Sequence, residues 1–173
     1  MEETTNAYIA GFLDGDGSIM FQLIERKGYI YGYQIRASVC FYQKTNHKDG
    51  LIWLKKQIGF GYIRDRNDGV SDYTIVGYDR VEQVLKLVQP YVVFKAVHAE
   101  KALKLLSMIR ENNKPTPEEF LSLAKLVDSY ASLNYSKKKT NNAKKVEEFL
   151  NRKGLLIPVT TDSRNKDEMV LSL

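Results

Sequence analysis

The stretch that decides the fold is Ala7-Tyr8-Ile9-Ala10-Gly11-Phe12-Leu13-Asp14-Gly15-Asp16-Gly17. Apolar residues run from Ala7 to Leu13, with Thr4, Thr5 and Asn6 ahead of them as candidate N-caps, so the first part reads as a helix. Ala7, Gly11 and Gly15 recur every four residues and form one strip along it. Glycine costs a helix interior about 1 kcal/mol relative to alanine. Such a strip therefore implies a packing reason, the close approach of another backbone. Asp14 and Asp16 fall where the helix runs out. A helix C-terminus carries roughly half a negative charge, and two carboxylates there need a compensating cation. We read a tight helix–helix contact that delivers Asp16 to a divalent metal. A calcium loop opening at Asp14 would find its closing acid at Glu25, but Ser18 to Leu23 alternates like a strand.

Outward from this stretch the period changes to two. Ser18–Lys27 places Ile19, Phe21 and Leu23 on one face and Met20, Gln22 and Ile24 on the other. Residues 28–32, with Tyr29 and Tyr31, read as a hairpin tip. Tyr33–Gln43 sets Ile35, Ala37, Val39 and Phe41 against Gln34, Arg36, Ser38, Cys40 and Tyr42. Thr45 or Asn46 can cap a helix to about Ile58 that buries Leu51, Ile52, Leu54 and Ile58, with Trp53 as the large anchor. Phe60–Arg66 is a third strand with Tyr62, Arg64 and Arg66 on one face. Asn67-Asp68-Gly69 is a strong turn signal. Val70–Val76 returns, with Asp72 and Thr74 opposite in facing to Tyr73 and Ile75. Asp79–Gln89 is a helix burying Val81, Val84, Leu85 and Val88, stopped by Pro90.

Residues 7–89 thus spell helix, strand, strand, helix, strand, strand, helix. This is an α+β layout with one four-stranded antiparallel sheet. Its apolar side faces the helices; its other side carries Gln22, Gln34, Arg36, Ser38, Arg64, Arg66, Asp72 and Thr74. Ordinary solvated polarity is the plain alternative. The mixture favours recognition, because Arg suits guanine, Gln suits adenine and Asp accepts from cytosine. A ribbon of this kind fits a major groove.

Beyond Tyr91 the chain reads as helical. Phe94–Arg110 points Ala96, Val97, Ala99, Leu103, Leu106 and Ile109 inward. A helix from Pro117 to about Leu133 uses Phe120, Leu123, Leu126 and Val127. Lys137, Lys138 and Lys139 form a loop that suits phosphate contact, which fixes position without reading sequence. Ala143–Lys153 closes a single domain over residues 1–153. The tail 154–173 has no clear period, and its apolar start, Leu155–Val159, suits docking on the body.

With 173 residues, of which 43% are hydrophobic, the chain can bury a substantial core. No apolar run approaches bilayer length, and the N-terminus lacks a signal peptide's basic and apolar regions. Cys40 is the sole cysteine, which excludes an internal disulfide framework and a Cys-based zinc site within one chain. An intracellular protein without membrane contact is expected. Twenty-six basic against 21 acidic residues, net +5, permit nucleic-acid binding without establishing it.

Ile-Ala-Gly-Phe-Leu-Asp-Gly-Asp-Gly at 9–17 resembles the LAGLIDADG signature of homing endonucleases. The resemblance extends over roughly residues 7–140, through Gly-Tyr-Ile-Arg-Asp-Arg at 61–66, Val-Ser-Asp-Tyr at 70–73 and Gln-Pro-Tyr at 89–91. The signature occurs once, as in the single-motif members, which work as homodimers. The resemblance implies the αββαββα homing-endonuclease fold with C-terminal helices, and Ala7, Gly11 and Gly15 at the dimer contact. It implies Asp16 as metal ligand, the Gly15 carbonyl as a further one, and Mg²⁺ as the ion. Asp14 would support the helix end. Gln43 would order the attacking water, Lys95 would stabilise charge, and His47 occupies a supporting position often held by Arg. His98 is taken as structural. Gln22, Ile24, Tyr29, Gln34, Arg36, Ser38, Cys40, Tyr62, Arg64, Arg66, Asp72, Thr74 and Lys137 to Lys139 would meet double-stranded DNA. The implied activity is a staggered double-strand break with 3′ overhangs in a long pseudo-palindromic site. An RNA-binding intron maturase is the alternative, and a DNA-binding regulator that no longer cuts is a third. Asp16, Gln43 and Lys95 together favour cleavage.

Overall fold

The alternation along the first two strands becomes a hairpin, β1 (Gly17–Glu25) paired antiparallel with β2 (Tyr33–Lys44), Gly17 opposite Phe41 and Glu25 opposite Tyr33. The computed structural model describes residues 2–134 and 140–156. The second hairpin is β3 (Tyr62–Asp65) and β4 (Val70–Val76), closed by the Asn67-Asp68-Gly69 turn with Gly69 at φ 77°. The strands form one antiparallel sheet in the order β1-β2-β4-β3. Three helices interleave as expected: α1 (Glu3–Asp16), α2 (Asp49–Ile58) and α3 (Tyr78–Val88). Then follow α4 (Ala96–Glu111), α5 (Pro117–Ala131) and α6 (Ala143–Arg152). The α+β αββαββα reading with added C-terminal helices holds.

One side of the sheet supplies the core. Ile19, Phe21, Leu23, Ile35, Ala37, Val39, Phe41, Tyr73 and Ile75 are all buried, together with Ile9, Ala10 and Leu13 of α1. A fully buried aliphatic or aromatic side chain of this kind contributes about 1.5–3 kcal/mol. Tyr73 keeps its hydroxyl satisfied by donating to the Phe60 carbonyl. Gly61 makes that approach possible: it sits at φ 99°, and a Cβ there would lie 2.8 Å from both the Thr74 carbonyl and the Tyr73 ring. The third strand is consequently shorter than Phe60–Arg66. α5 starts as its sequence suggests. Thr116 accepts from the Glu119 N–H, Glu119 accepts from the Thr116 N–H, and Pro117 opens the helix.

Several local expectations are corrected. α1 begins a turn earlier, with Glu2 as N-cap and no side-chain cap, so Thr4, Thr5 and Asn6 lie inside the helix. Thr45, Asn46 and His47 form a short 3-10 turn, and neither Thr45 nor Asn46 caps α2, whose N-cap is Lys48. Starting at Asp49 fixes the phase of α2. Leu51 and Leu54 point in, while Ile52 and Trp53 are exposed. Trp53 is therefore not a core anchor; it meets the Tyr8 ring edge-on at 5.3 Å. α4 buries Ala99, Ala102, Leu105, Leu106 and Ile109 and leaves Ala96 and Val97 outward. Leu126 of α5 is exposed too.

The far tip of the first hairpin leans on α6. Gly32, at φ 69°, faces the Phe149 ring so closely that a Cβ would come within 2.5 Å of it. Leu155 and Leu156 pack against the core. Lys137, Lys138, Lys139 and residues 157–173 lie outside the described residues. Among the described residues no helix is long and apolar enough to cross a membrane.

Candidate functional site

α1 passes into β1 with no residue between them. Gly17 allows this: a Cβ there would fall 2.6–2.9 Å from Leu13 atoms, while its N–H donates to the Leu13 carbonyl. Asp16 is thereby fixed at the joint of helix and strand, with its residue exposed. Gln43, near the end of β2, donates from Nε2 to Asp16 Oδ2 at 3.4 Å. Among the described residues this is the one side-chain bond Asp16 receives.

Asp14 does something different. Its Oδ2 accepts from the N–H groups of Val93 (2.6 Å) and Phe94 (3.2 Å), and its Oδ1 from that of Lys95 (2.9 Å). Three successive N–H groups form a concave anion site. Lys95, the N-cap of α4, donates from Nζ back to the Asp14 carbonyl at 2.6 Å. Asp14, Asp16, Gln43 and Lys95 thus gather around the end of α1. His47 ends its 3-10 turn exposed and without a hydrogen-bond partner among the described residues. His98 ties α4 to α5: Nε2 donates to the Leu133 carbonyl at 3.1 Å, and its own carbonyl accepts from the Tyr130 hydroxyl at 3.1 Å.

Ala7, Gly11 and Gly15 are exposed along α1, and a Cβ at Gly11 or Gly15 would meet nothing within 4 Å. Among the described residues the strip therefore has no partner within its own chain. Apolar side chains flank it: Tyr8 is 64% exposed, Val93 73% and Phe94 82%.

The register puts every polar strand residue expected to face DNA on one side of the sheet. Gln22 pairs with Arg36, Ile24 with Gln34, Met20 with Ser38, Cys40 with Thr74, Tyr62 with Thr74, and Arg64 with Asp72. Gln22, Tyr29, Tyr62, Arg64 and Arg66 are exposed, and Ile24, Gln34 and Arg36 partly so. Ser38, Cys40, Asp72 and Thr74 are at most 5% exposed. Neighbouring side chains cover these four in the free chain. Asp72 accepts from Arg64 Nε (3.1 Å) and Nη2 (2.8 Å) and from Thr74 Oγ1 (2.8 Å). The Cys40 thiol lies 3.3 Å from Thr74 Oγ1, and burial pushes its pKa up. Tyr42, bonded to Ser18 Oγ at 2.9 Å, has its hydroxyl pushed up to about 12 by burial. They form a floor under the exposed side chains.

Sequence reading missed Arg26, whose Nε donates to Gln34 Oε1 at 3.3 Å just past β1. Its place within Ser18–Lys27, in phase with Gln22 and Ile24, was the available signal. Arg36 reaches the Tyr62 hydroxyl at 3.5 Å, and Arg66 pairs with Asp68 at 2.6 Å.

One helix ending in two acids, followed by a strand-strand-helix-strand-strand run, defines the class. The LAGLIDADG endonuclease family profile matches residues 9–111. The chain belongs to this family. It is 34% identical over 143 residues to the DNA endonuclease I-CreI of Chlamydomonas reinhardtii, spanning 83% of this chain and 86% of that one. It is 32% identical over 151 residues to the DNA endonuclease I-CvuI of Chlorella vulgaris, spanning 87% and 92%. The crystal structure of I-CvuI with its target in the presence of calcium superposes with a TM-score of 0.82, covering 89% of this chain and 97% of that one. A second I-CvuI structure, with the I-CreI target and magnesium and with the DNA not cleaved, gives 0.83, covering 90% and 98%.

Proposed function

We propose that the protein is a homodimeric, Mg²⁺-dependent homing endonuclease that makes a staggered double-strand break with 3′ overhangs in a long pseudo-palindromic DNA site. The observation that carries this is Asp16, exposed at the end of α1 and bonded to Gln43, beside a strip of small residues with no partner among the described residues of its own chain. The DNA-bound structures of I-CvuI support the choice of duplex DNA.

The strip supports two α1 helices meeting across a two-fold axis, which brings one Asp16 from each chain together. Two carboxylates so placed repel unless a cation lies between them. Asp16 and the Gly15 carbonyl would hold Mg²⁺, since an all-oxygen donor set beside phosphate suits that ion. When bound, the ion stabilises the attacking and leaving oxygens of the phosphodiester. Gln43 orders the attacking water through the amide that reaches Asp16. Lys95 brings positive charge to the phosphate and water network. His47 offers an imidazole toward water or phosphate, with a charge that follows pH. Exposed Gln22, Tyr29, Tyr62, Arg64 and Arg66, with the half-buried Gln34 and Arg36, read base edges in the major groove, over the floor built by Ser38, Cys40, Asp72 and Thr74.

The test is to incubate the protein with Mg²⁺ and a randomised library of DNA duplexes, then sequence the cut ends. One pseudo-palindromic site with paired, offset cuts is expected. Cuts scattered without a consensus would overturn the reading.

A further inference from the structure

The signature-like string carries two acids, and only one of them is free to take a cation. Asp14 has both carboxylate oxygens engaged by the three N–H groups of residues 93–95. Its own carbonyl receives the Lys95 ammonium. Residues 14 and 95 are therefore joined twice, once through each side chain. Lysine has a long flexible stem worth roughly 2 kcal/mol of rotamer entropy, so one bond at its tip would not fix it. The lead into α4 is also poorly held by packing, because Val93 and Phe94 are exposed. The charged bonds of Asp14 supply what packing does not.

We propose that Asp14 is a positioning residue: by clamping the backbone of residues 93–95 it sets the Lys95 ammonium over the end of α1. This rests on the role given to Lys95 above. It assigns the two acids separate tasks, Asp16 facing the phosphate and Asp14 facing inward as an anchor. Asp14 is then no ligand of the ion.

The test is a double-mutant cycle on the full-length protein bound to its cut site, read as single-turnover cleavage, DNA dissociation constant and half-saturating Mg²⁺. Asp14→Ala should slow cleavage by about 100-fold, as ångström-scale misplacement of a reacting group does. DNA affinity and half-saturating Mg²⁺ should stay within about twofold, the ordinary limit of additivity. Asp14→Ala/Lys95→Ala should cut no more slowly than Lys95→Ala alone. Asp14→Asn, which keeps the shape and one acceptor, should fall between. If Asp14→Ala does not fold, the same cycle runs with Asp14→Asn. Full additivity of the two substitutions, or a raised Mg²⁺ requirement in the Asp14 variants, would overturn the clamp. Wild-type cutting by Lys95→Ala would instead remove the role of Lys95 itself, and the clamp with it.

Discussion

On the open face of the sheet, Asp72 is closed over by Arg64 and Thr74, and Cys40 lies against Thr74. Along the outer face of α1, Gly11 and Gly15 look onto empty space between Tyr8 and the exposed pair Val93 and Phe94. The first surface is polar and has completed much of its own bonding within the chain. The second is apolar and small, and nothing among the described residues answers it. Polar groups can satisfy one another locally at modest net gain. Apolar area gains only by leaving water. The sheet face is thus prepared for a partner that forms hydrogen bonds. The α1 face is prepared for another backbone.

Substitutions on the two surfaces should differ in kind. The largest effect is expected at the joint between them: Asp16→Asn should abolish cutting while DNA binding persists in a mobility-shift assay. Substantial residual Mg²⁺-dependent cleavage would contradict its role. Next, Gly11→Leu would force side chains into the proposed contact between two α1 helices. Overpacking typically costs about 1–3 kcal/mol per substitution, and a two-fold contact contains two. Sedimentation equilibrium should show a weakened dimer; an unchanged association constant would place the interface elsewhere.

A smaller effect separates two arginines of the sheet face. A bidentate arginine–guanine contact discriminates by about 1–3 kcal/mol in general, so Arg64→Ala and Arg66→Ala should each relax preference at particular base pairs. Uniform loss at all positions would indicate phosphate contacts. Arg64→Ala should also lower the melting temperature more than Arg66→Ala. The first strands Asp72, whose side chain is 3% exposed, whereas the partner of Arg66, Asp68, is 52% exposed. Equal melting temperatures would show that Thr74 alone satisfies Asp72.

The smallest effect is a matter of pH. Hydrogen bonds from Lys48 and then Ser71 hold the Asp65 carboxyl below its ordinary value of 3.8. Its stabilising contribution is complete above that value and is lost as pH falls through the lower folded one. The melting temperature should therefore decline in that acid window, and Asp65→Asn should flatten this part of the profile.

The layout of the fold was legible because its signals are local. Period-two alternation, Asn67-Asp68-Gly69 and the helix-opening Pro117 each act within a few residues, and all sit where the sequence places them. Asp16 and the small-residue strip were legible for the same reason. Phase was not. The start of α2 at Asp49 decides whether Trp53 faces inward, and no side-chain cap marks it. Nor was closure of the sheet face complete in the sequence: the hairpin turn sets Arg64 beside Asp72, but Cys40 meets Thr74 only through the β2–β4 pairing, which strand order sets. The engagement of Asp14 spans about eighty positions, from residue 14 to residues 93–95, and no spacing rule reaches that far.

The contact between Gly32 and Phe149 has a mechanical consequence. The first hairpin is anchored at its root where α1 turns into β1, and propped at its tip by the last helix. It behaves as a beam supported at both ends. Tyr29 at the outer end and Gln43 beside Asp16 are then parts of one hairpin held at root and tip.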